Sequence, residues 1–288
     1  MALQVLRQTR PYRAFSRHVM SPLRLHAEYV CAGVRAAFGK DCIPAYWFRH
    51  TNWGDALNPY LIEALSGRPA QFTRHPRLLK YLVVGSIIGG VDSNSIVWGA
   101  GAISSDVILR HRPKQVLAVR GPLTRELMVT QGFEAPDVCG DPALLMPRFY
   151  DPEVDVKYNV GIVPHYVDKQ HPWLDTYRGS SEVCIIDVED DLFRFIRQIK
   201  RCRHIMSSSL HGIICSDAYG VPATWLRLSD GVVGDGFKFR DYFASVGRAE
   251  PIEVQVRDDI TIDSILEQHE PYGLVIDLEA LLDVCPFR

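Results

Sequence analysis

The chain has no CxxC pair, no apolar run long enough to span a bilayer and almost no net charge, and each absence removes a class of protein. Its seven cysteines (Cys31, Cys42, Cys139, Cys184, Cys202, Cys215 and Cys285) are scattered and odd in number. Several sit in apolar runs such as VCIID and GIICSD, which suits reduced, mostly buried thiols better than a disulfide frame or a zinc site. The longest apolar stretch, Tyr81 to Val91, is broken by glycines and Ser86, whereas a spanning helix needs about 20 apolar residues. The basic N-terminus has no apolar core behind it and does not read as a secretion signal. A net charge of −2 gives no global pull toward nucleic acid. No P-loop, HExxH, GxSxG or kinase signature occurs, no metal-ligand cluster is visible, and Gly99-x-Gly101 lacks the third glycine of a dinucleotide fingerprint. A soluble, cytoplasmic chain is expected.

What is present is a 288-residue chain that is 47% hydrophobic, enough to fill one large core or two ordinary ones. Its charge is uneven. Residues 1–40 hold seven basic side chains against Glu28, a local +6 that leaves −8 for the rest. This basic amphipathic segment, taken as 1–44, reads either as a solvated helical collar or as a peripheral contact with the anionic inner face of a membrane.

From Ala45 short apolar runs alternate with helical patterns. The run Tyr46–Phe48 leads through a polar turn to a helix over Asp55–Leu65 stopped by Gly67. Strands are expected at 81–84, 96–98, 116–119 and 137–139, with a helix opened by Pro122 and closed at Gly132. The charged, proline-bearing stretch 147–157 reads as a linker. Beyond it come strands at 160–163, 183–186 and 204–206, another at VPATWL, and helices over 190–202 and 210–219. The pattern implies an α/β chain of two Rossmann-like domains, 45–150 and 151–288, facing across a cleft.

In open parallel sheets ligands bind beyond the carboxyl ends of the strands, which selects the polar turns there. The strongest is SSSLHG, where Ser208, Ser209 and Leu210 open a helix whose free N–H groups suit an anion and whose first turn carries His211. His211 reads as an acid beside that anion or as a neutral ring packed on a strand. Asp55 reads as an acid/base group or as a helix cap, and Asp141 as a cleft residue or a turn-fixing carboxylate. Arg120, between a strand and a Gly-Pro helix start, reads as a ligand for an anion or as a surface arginine. Lys238 follows a glycine-rich loop and reads as an anion ligand or a solvated side chain. Asn52, Gly54, Gly85, Ser86, Trp98, Gly99 and His165 complete the expected rim.

Taken in order, NWGDALN (52–58), GSII (85–88), VWGAG (97–101), VRGPLTR (119–125), GDPALL (140–145), PHY (164–166), SSLHG (208–212) and DAYGVP (217–222) resemble the polysaccharide pyruvyl transferase family. The resemblance covers roughly Phe48 to Val246 and is nearest to the bacterial exopolysaccharide and capsule ketal-pyruvyl transferases. It implies a glycosyltransferase-B-like arrangement of two domains. It also implies transfer of pyruvate from phosphoenolpyruvate to two hydroxyls of a sugar on a lipid carrier, with release of phosphate and no cofactor. By resemblance Arg120 holds the donor anion, His211 is the general acid and Lys238 binds the donor. Some relatives carry arginine where this chain has Ser209, and Arg227 and Arg240 are the candidates to replace that charge. The rival reading is a sugar-nucleotide glycosyltransferase of the same form; a glycan-binding scaffold without turnover is a third.

Overall fold

The computed structural model describes residues 42–49, 51–248, 251–257 and 259–287. Apart from its last three residues, the basic segment 1–44 lies outside them. Ten short strands form two five-stranded sheets, every pairing parallel. The first sheet contains β1 (Ile43–Ala45), β2 (Ala70–Phe72), β3 (Lys80–Leu82), β4 (Ser95–Trp98) and β5 (Gln115–Ala118). The second contains β6 (Tyr158–Val163), β7 (Val183–Ile185), β8 (Cys202–Ser207), β9 (Ala223–Arg227) and β10 (Glu253–Gln255). The helices are α1 (Trp53–Ser66), α2 (Pro122–Thr130), α3 (Leu192–Lys200), α4 (Leu210–Ala218), α5 (Phe237–Ser245), α6 (Ile262–Glu267) and α7 (Leu278–Asp283).

The spatial orders are β2-β1-β3-β4-β5 and β10-β9-β8-β6-β7. Counted along the chain, each sheet is therefore wound second-first-third-fourth-fifth, although the two halves share no visible sequence repeat. Such an order reverses direction between its first and third strands, and the crevice above that switch point is where open sheets take ligands. In this chain the switch points lie between β1 and β3 and between β6 and β8.

Alternation along the strands divides the apolar residues among three clusters. Leu82 and Val97 point outward with Leu127 and Met128 of α2, and Ile162 and Met206 point outward with Ile262 and Ile265 of α6. The opposite faces share one central cluster, which takes Ile43, Val83 and Trp98 from the first half and Val163, Phe195, Ile205 and Ile213 from the second. Aromatic contacts Tyr60–Phe193 (5.1 Å) and Trp53–Phe195 (5.7 Å) join α1 to α3 across it. The chain end then returns to the first sheet. Trp98 Nε1 donates to the Leu281 carbonyl at 2.9 Å, and Phe287 packs edge-on to Trp98 and Tyr81.

Three expectations need correction. The strand before the first polar turn is Ile43–Ala45, and of the run Tyr46–Phe48 Tyr46 adds one bond to β3, its N–H donating to the Tyr81 carbonyl at 2.8 Å. Residues 137–139 make only one bridge, Val119 to Cys139, because Pro136 and Gly140 leave too little chain for a strand. The linker stretch begins inside a 3-10 turn, Pro142–Arg148, and only 149–157 is irregular.

Asn58 shows how the first switch point is held. Pro59 inside α1 has no N–H for the Asp55 carbonyl, and the Asn58 amide donates there instead, at 3.3 Å. The same side chain donates to the Gly54 and Val84 carbonyls and accepts from the Val84 N–H, fixing α1 to the chain after β3. Asn58→Ala strands buried backbone groups of Val84, so a loss of about 2–3 kcal/mol is expected in urea unfolding. A loss under about 0.5 kcal/mol would show that water replaces the side chain freely.

Candidate active site

The two switch points face each other. α1 starts after β1 with Asn52 as its cap, and the Trp53 N–H reaches across to the Val188 carbonyl at 2.8 Å. α4 starts after β8, capped by Ser209, whose hydroxyl makes no capping bond. The two helix starts touch: a Cβ on Gly54 would overlap the His211 ring, so only glycine lets the imidazole lie there. His211 Nε2 is buried with no hydrogen-bond partner among the described residues. Gly85, at φ +121°, turns the chain after β3 so that its Cα side faces the Asp55 carboxylate.

Asp55 is 4% exposed and held by Asn52, which accepts from the Asp55 N–H and donates to its carboxylate. Burial pushes its pKa up to about 7, against the pull of Asn52 and of the Lys238 charge. Lys238, on the first turn of α5, is itself buried, with Nζ 5.6 Å from the Phe239 ring and no hydrogen bond or ion pair among the described residues. Burial and the neighbouring Arg120 charge lower it to about 8, while Asp55 and Asp168 oppose the shift. Burial, Lys238 and Arg120 lower His211 to about 3, so the ligand-free ring is neutral. The cluster is thus a positive, poorly solvated recess with an acid near neutrality at its edge.

Arg120 is placed differently from expectation. Its guanidinium is fully buried and committed: Nε and Nη2 each lie 2.9 Å from Asp241 Oδ2, Nη1 donates to Ser86 at 2.7 Å and Nη2 to the Ala102 carbonyl at 2.6 Å. Asp241 also accepts from the Thr124 N–H and hydroxyl. Arg120 therefore forms the wall behind Lys238 and His211 and offers no open fork to a ligand.

Of the other expected residues, Ser208 donates to Asp168 at 3.0 Å and accepts from the His165 N–H at 2.9 Å, bringing His165 to the second switch point. Leu210 contributes its backbone at the helix start, but its side chain belongs to the central core. Trp98 and Gly99 are not at the rim. Trp98 is fully buried under the chain end, and Gly99 is closed over by Pro142. Asp141 caps the 3-10 turn through the Ala143 N–H at 3.0 Å and is buried below Arg120, with burial raising it to about 6. Neither arginine proposed to replace the charge at Ser209 joins the site. Arg227 is bound by Asp230, Asp235 and Glu253, and Arg240 donates to the Asp235 carbonyl. Two buried carboxylates beside the cluster escaped the sequence reading. Asp168 gathers Ser208 and Ser229, and Asp241 locks Arg120. A cavity of about 290 Å³ around Thr224, Arg248, His269 and Tyr272 shares no residue with this cluster.

Lys238, His211 and the near-neutral Asp55 thus lie together where two helix starts meet between two parallel sheets. A model of the polysaccharide pyruvyl transferase family matches residues 71–230. The chain is 32% identical over 226 residues to an uncharacterized protein of Acanthamoeba polyphaga mimivirus, covering 72% of this chain and 75% of that one. It is 27% identical over 233 residues to the succinoglycan biosynthesis protein ExoV of Rhizobium meliloti, covering 76% and 70%. No solved structure matches it significantly. The chain belongs to the polysaccharide pyruvyl transferase family. Asn52, Asp55, Lys238 and Asp241 lie outside the matched span.

Because the folded pKa of Asp55 is raised from 3.8 to about 7, its ionisation costs stability as pH rises through that interval. Asp55→Asn removes the cost. Its melting temperature should match the wild type near pH 4 and exceed it progressively toward about pH 8. A difference that does not change with pH would show that Asp55 ionises without penalty.

Proposed function

We propose that the chain transfers pyruvate from phosphoenolpyruvate to two hydroxyls of one sugar in a lipid-linked polysaccharide repeat, closing a cyclic ketal and releasing phosphate. The meeting of the two helix starts, with Lys238, His211 and Asp55 in one recess, is the observation that carries this reading. The donor is a compact anion at neutral pH, and the α4 N-terminus and Lys238 supply charge where side-chain capping is missing. Its arrival reverses the field that keeps His211 neutral, because an adjacent anion favours the charged ring. His211 then delivers a proton to the methylene carbon, leaving an oxocarbenium-like centre at the carbon bearing phosphate. A sugar hydroxyl attacks that centre, with Asp55 positioned to take its proton. Phosphate departs with its bridging oxygen, and the second hydroxyl closes the ring as its proton returns to His211.

In this proposal the two sheets are the halves of a glycosyltransferase-B-like pair divided near residue 150, with the donor on the second and the acceptor between them. The membrane contact suggested by the basic segment 1–44 belongs to the same proposal. Among the described residues no helix is long and apolar enough to cross a membrane.

The donor decides between this chemistry and glycosyl transfer. Incubation with a sugar acceptor should release phosphate from phosphoenolpyruvate and no nucleotide from a UDP- or GDP-sugar; the opposite pattern would overturn the reading. Within it, His211→Gln should lower turnover by about 10²–10⁴-fold while donor affinity falls much less, since Lys238 and the helix start remain. Unchanged turnover with weakened donor binding would make His211 a phosphate ligand only.

A further inference from the structure

Nine large apolar side chains are exposed among the described residues, and Tyr166 is the one aromatic ring in that group, at 37%. It stands in the loop after β6, at the carboxyl end of the second switch point. Val167 beside it and Val233 from the loop after β9 are exposed as well, and Val167 lies against Gly231 of that second loop. A small apolar patch therefore borders a recess otherwise lined by charge.

The ring is held in place. His165 packs on it as a tilted pair, with centroids 4.2 Å apart and planes inclined at 34°. The His165 N–H is fixed by Ser208, and Asp168 closes the turn by donating its N–H to the His165 carbonyl at 2.7 Å while its carboxylate binds Ser208 and Ser229. Asp55 and Glu189 both lie within electrostatic reach of the Tyr166 hydroxyl, and with burial they raise its pKa, keeping it neutral. Glu189 is in turn fixed by Thr51, just before α1, and by Lys169, in the loop after β6.

A pyranose has an apolar face of C–H bonds and a rim of hydroxyls. A pre-positioned ring with carboxylates at its edge matches both, and holding it rigid lowers the ordering cost of binding. We infer that Tyr166 is the platform on which the acceptor sugar lies, placing its hydroxyls toward Asp55. The inference rests on the pyruvyl-transfer reading and adds a specificity-determining residue for its acceptor.

The test measures kcat and KM with phosphoenolpyruvate and a panel of para-nitrophenyl hexopyranosides for the wild type, Tyr166→Ala, Tyr166→Leu and Tyr166→Phe. The first two should raise the acceptor KM by about tenfold or more and leave the KM for phosphoenolpyruvate within about twofold, and Tyr166→Phe should retain the wild-type acceptor KM. Unchanged acceptor KM in Tyr166→Ala and Tyr166→Leu would overturn the platform while leaving pyruvyl transfer standing. An equal loss in Tyr166→Phe would assign the effect to the hydroxyl and overturn it too. A wild-type chain that consumes no phosphoenolpyruvate with any glycoside would overturn the functional reading and the platform together.

Discussion

The buried ion pair between Arg120 and Asp241 joins two segments 121 residues apart and determines where the chemistry can occur. Neither side chain reaches solvent, so each charge depends on the other. Removing one partner of such a pair costs about 3–5 kcal/mol, because the survivor is left uncompensated in a poorly solvated interior. Asp241 lies on the same helix as Lys238, one turn further on. Fixing Asp241 against Arg120 and Thr124 therefore also fixes where the Lys238 ammonium enters the recess. Gly121 completes the fit, since a Cβ there would collide with the Asp241 backbone. α5, though it lies between β9 and β10 of the second sheet in sequence, is in this way part of the wall of the first.

The electrostatics of the recess follow from that placement. Arg120 is neutralised locally by Asp241, yet its charge still acts on Lys238 and His211 and lowers both. Burial raises Asp55 and lowers the two bases, so all three groups are displaced toward their neutral forms. An anionic ligand favours protonated Lys238 and His211 and so binds with proton uptake near neutrality. In the proposed reaction His211 therefore becomes charged when the donor arrives, which is when a proton is needed.

Much of this was legible along the chain because it depends on local patterning. Gly67 does end α1 in the left-handed conformation, Pro122 opens α2, and the apolar runs at 160–163 and 204–206 are central strands. Polar turns after strands pointed to Asp55, Ser208 and His211 because a parallel sheet sends such turns to one edge. β2 and β10 were missed, since AQF and EVQ are three-residue edge strands with too little alternation to register. Trp98 looked like a rim residue because it precedes a glycine turn, and its burial depends on a chain end 183 residues away. Asp241 stood three positions from Lys238 in plain view. Its meaning lay in a pairing between distant segments, which no local pattern encodes. The common winding of the two sheets was hidden for the same reason, as strand order is a property of contacts.

The donor site can be tested without any acceptor, by calorimetric titration of phosphoenolpyruvate into the full chain and into Lys238→Met. The wild type is expected to bind with net proton uptake, seen as a dependence of the heat on buffer ionisation enthalpy, and Lys238→Met to bind at least about tenfold more weakly. Equal affinity in the two proteins, or no binding to either, would contradict a donor site built on Lys238 and the α4 helix start.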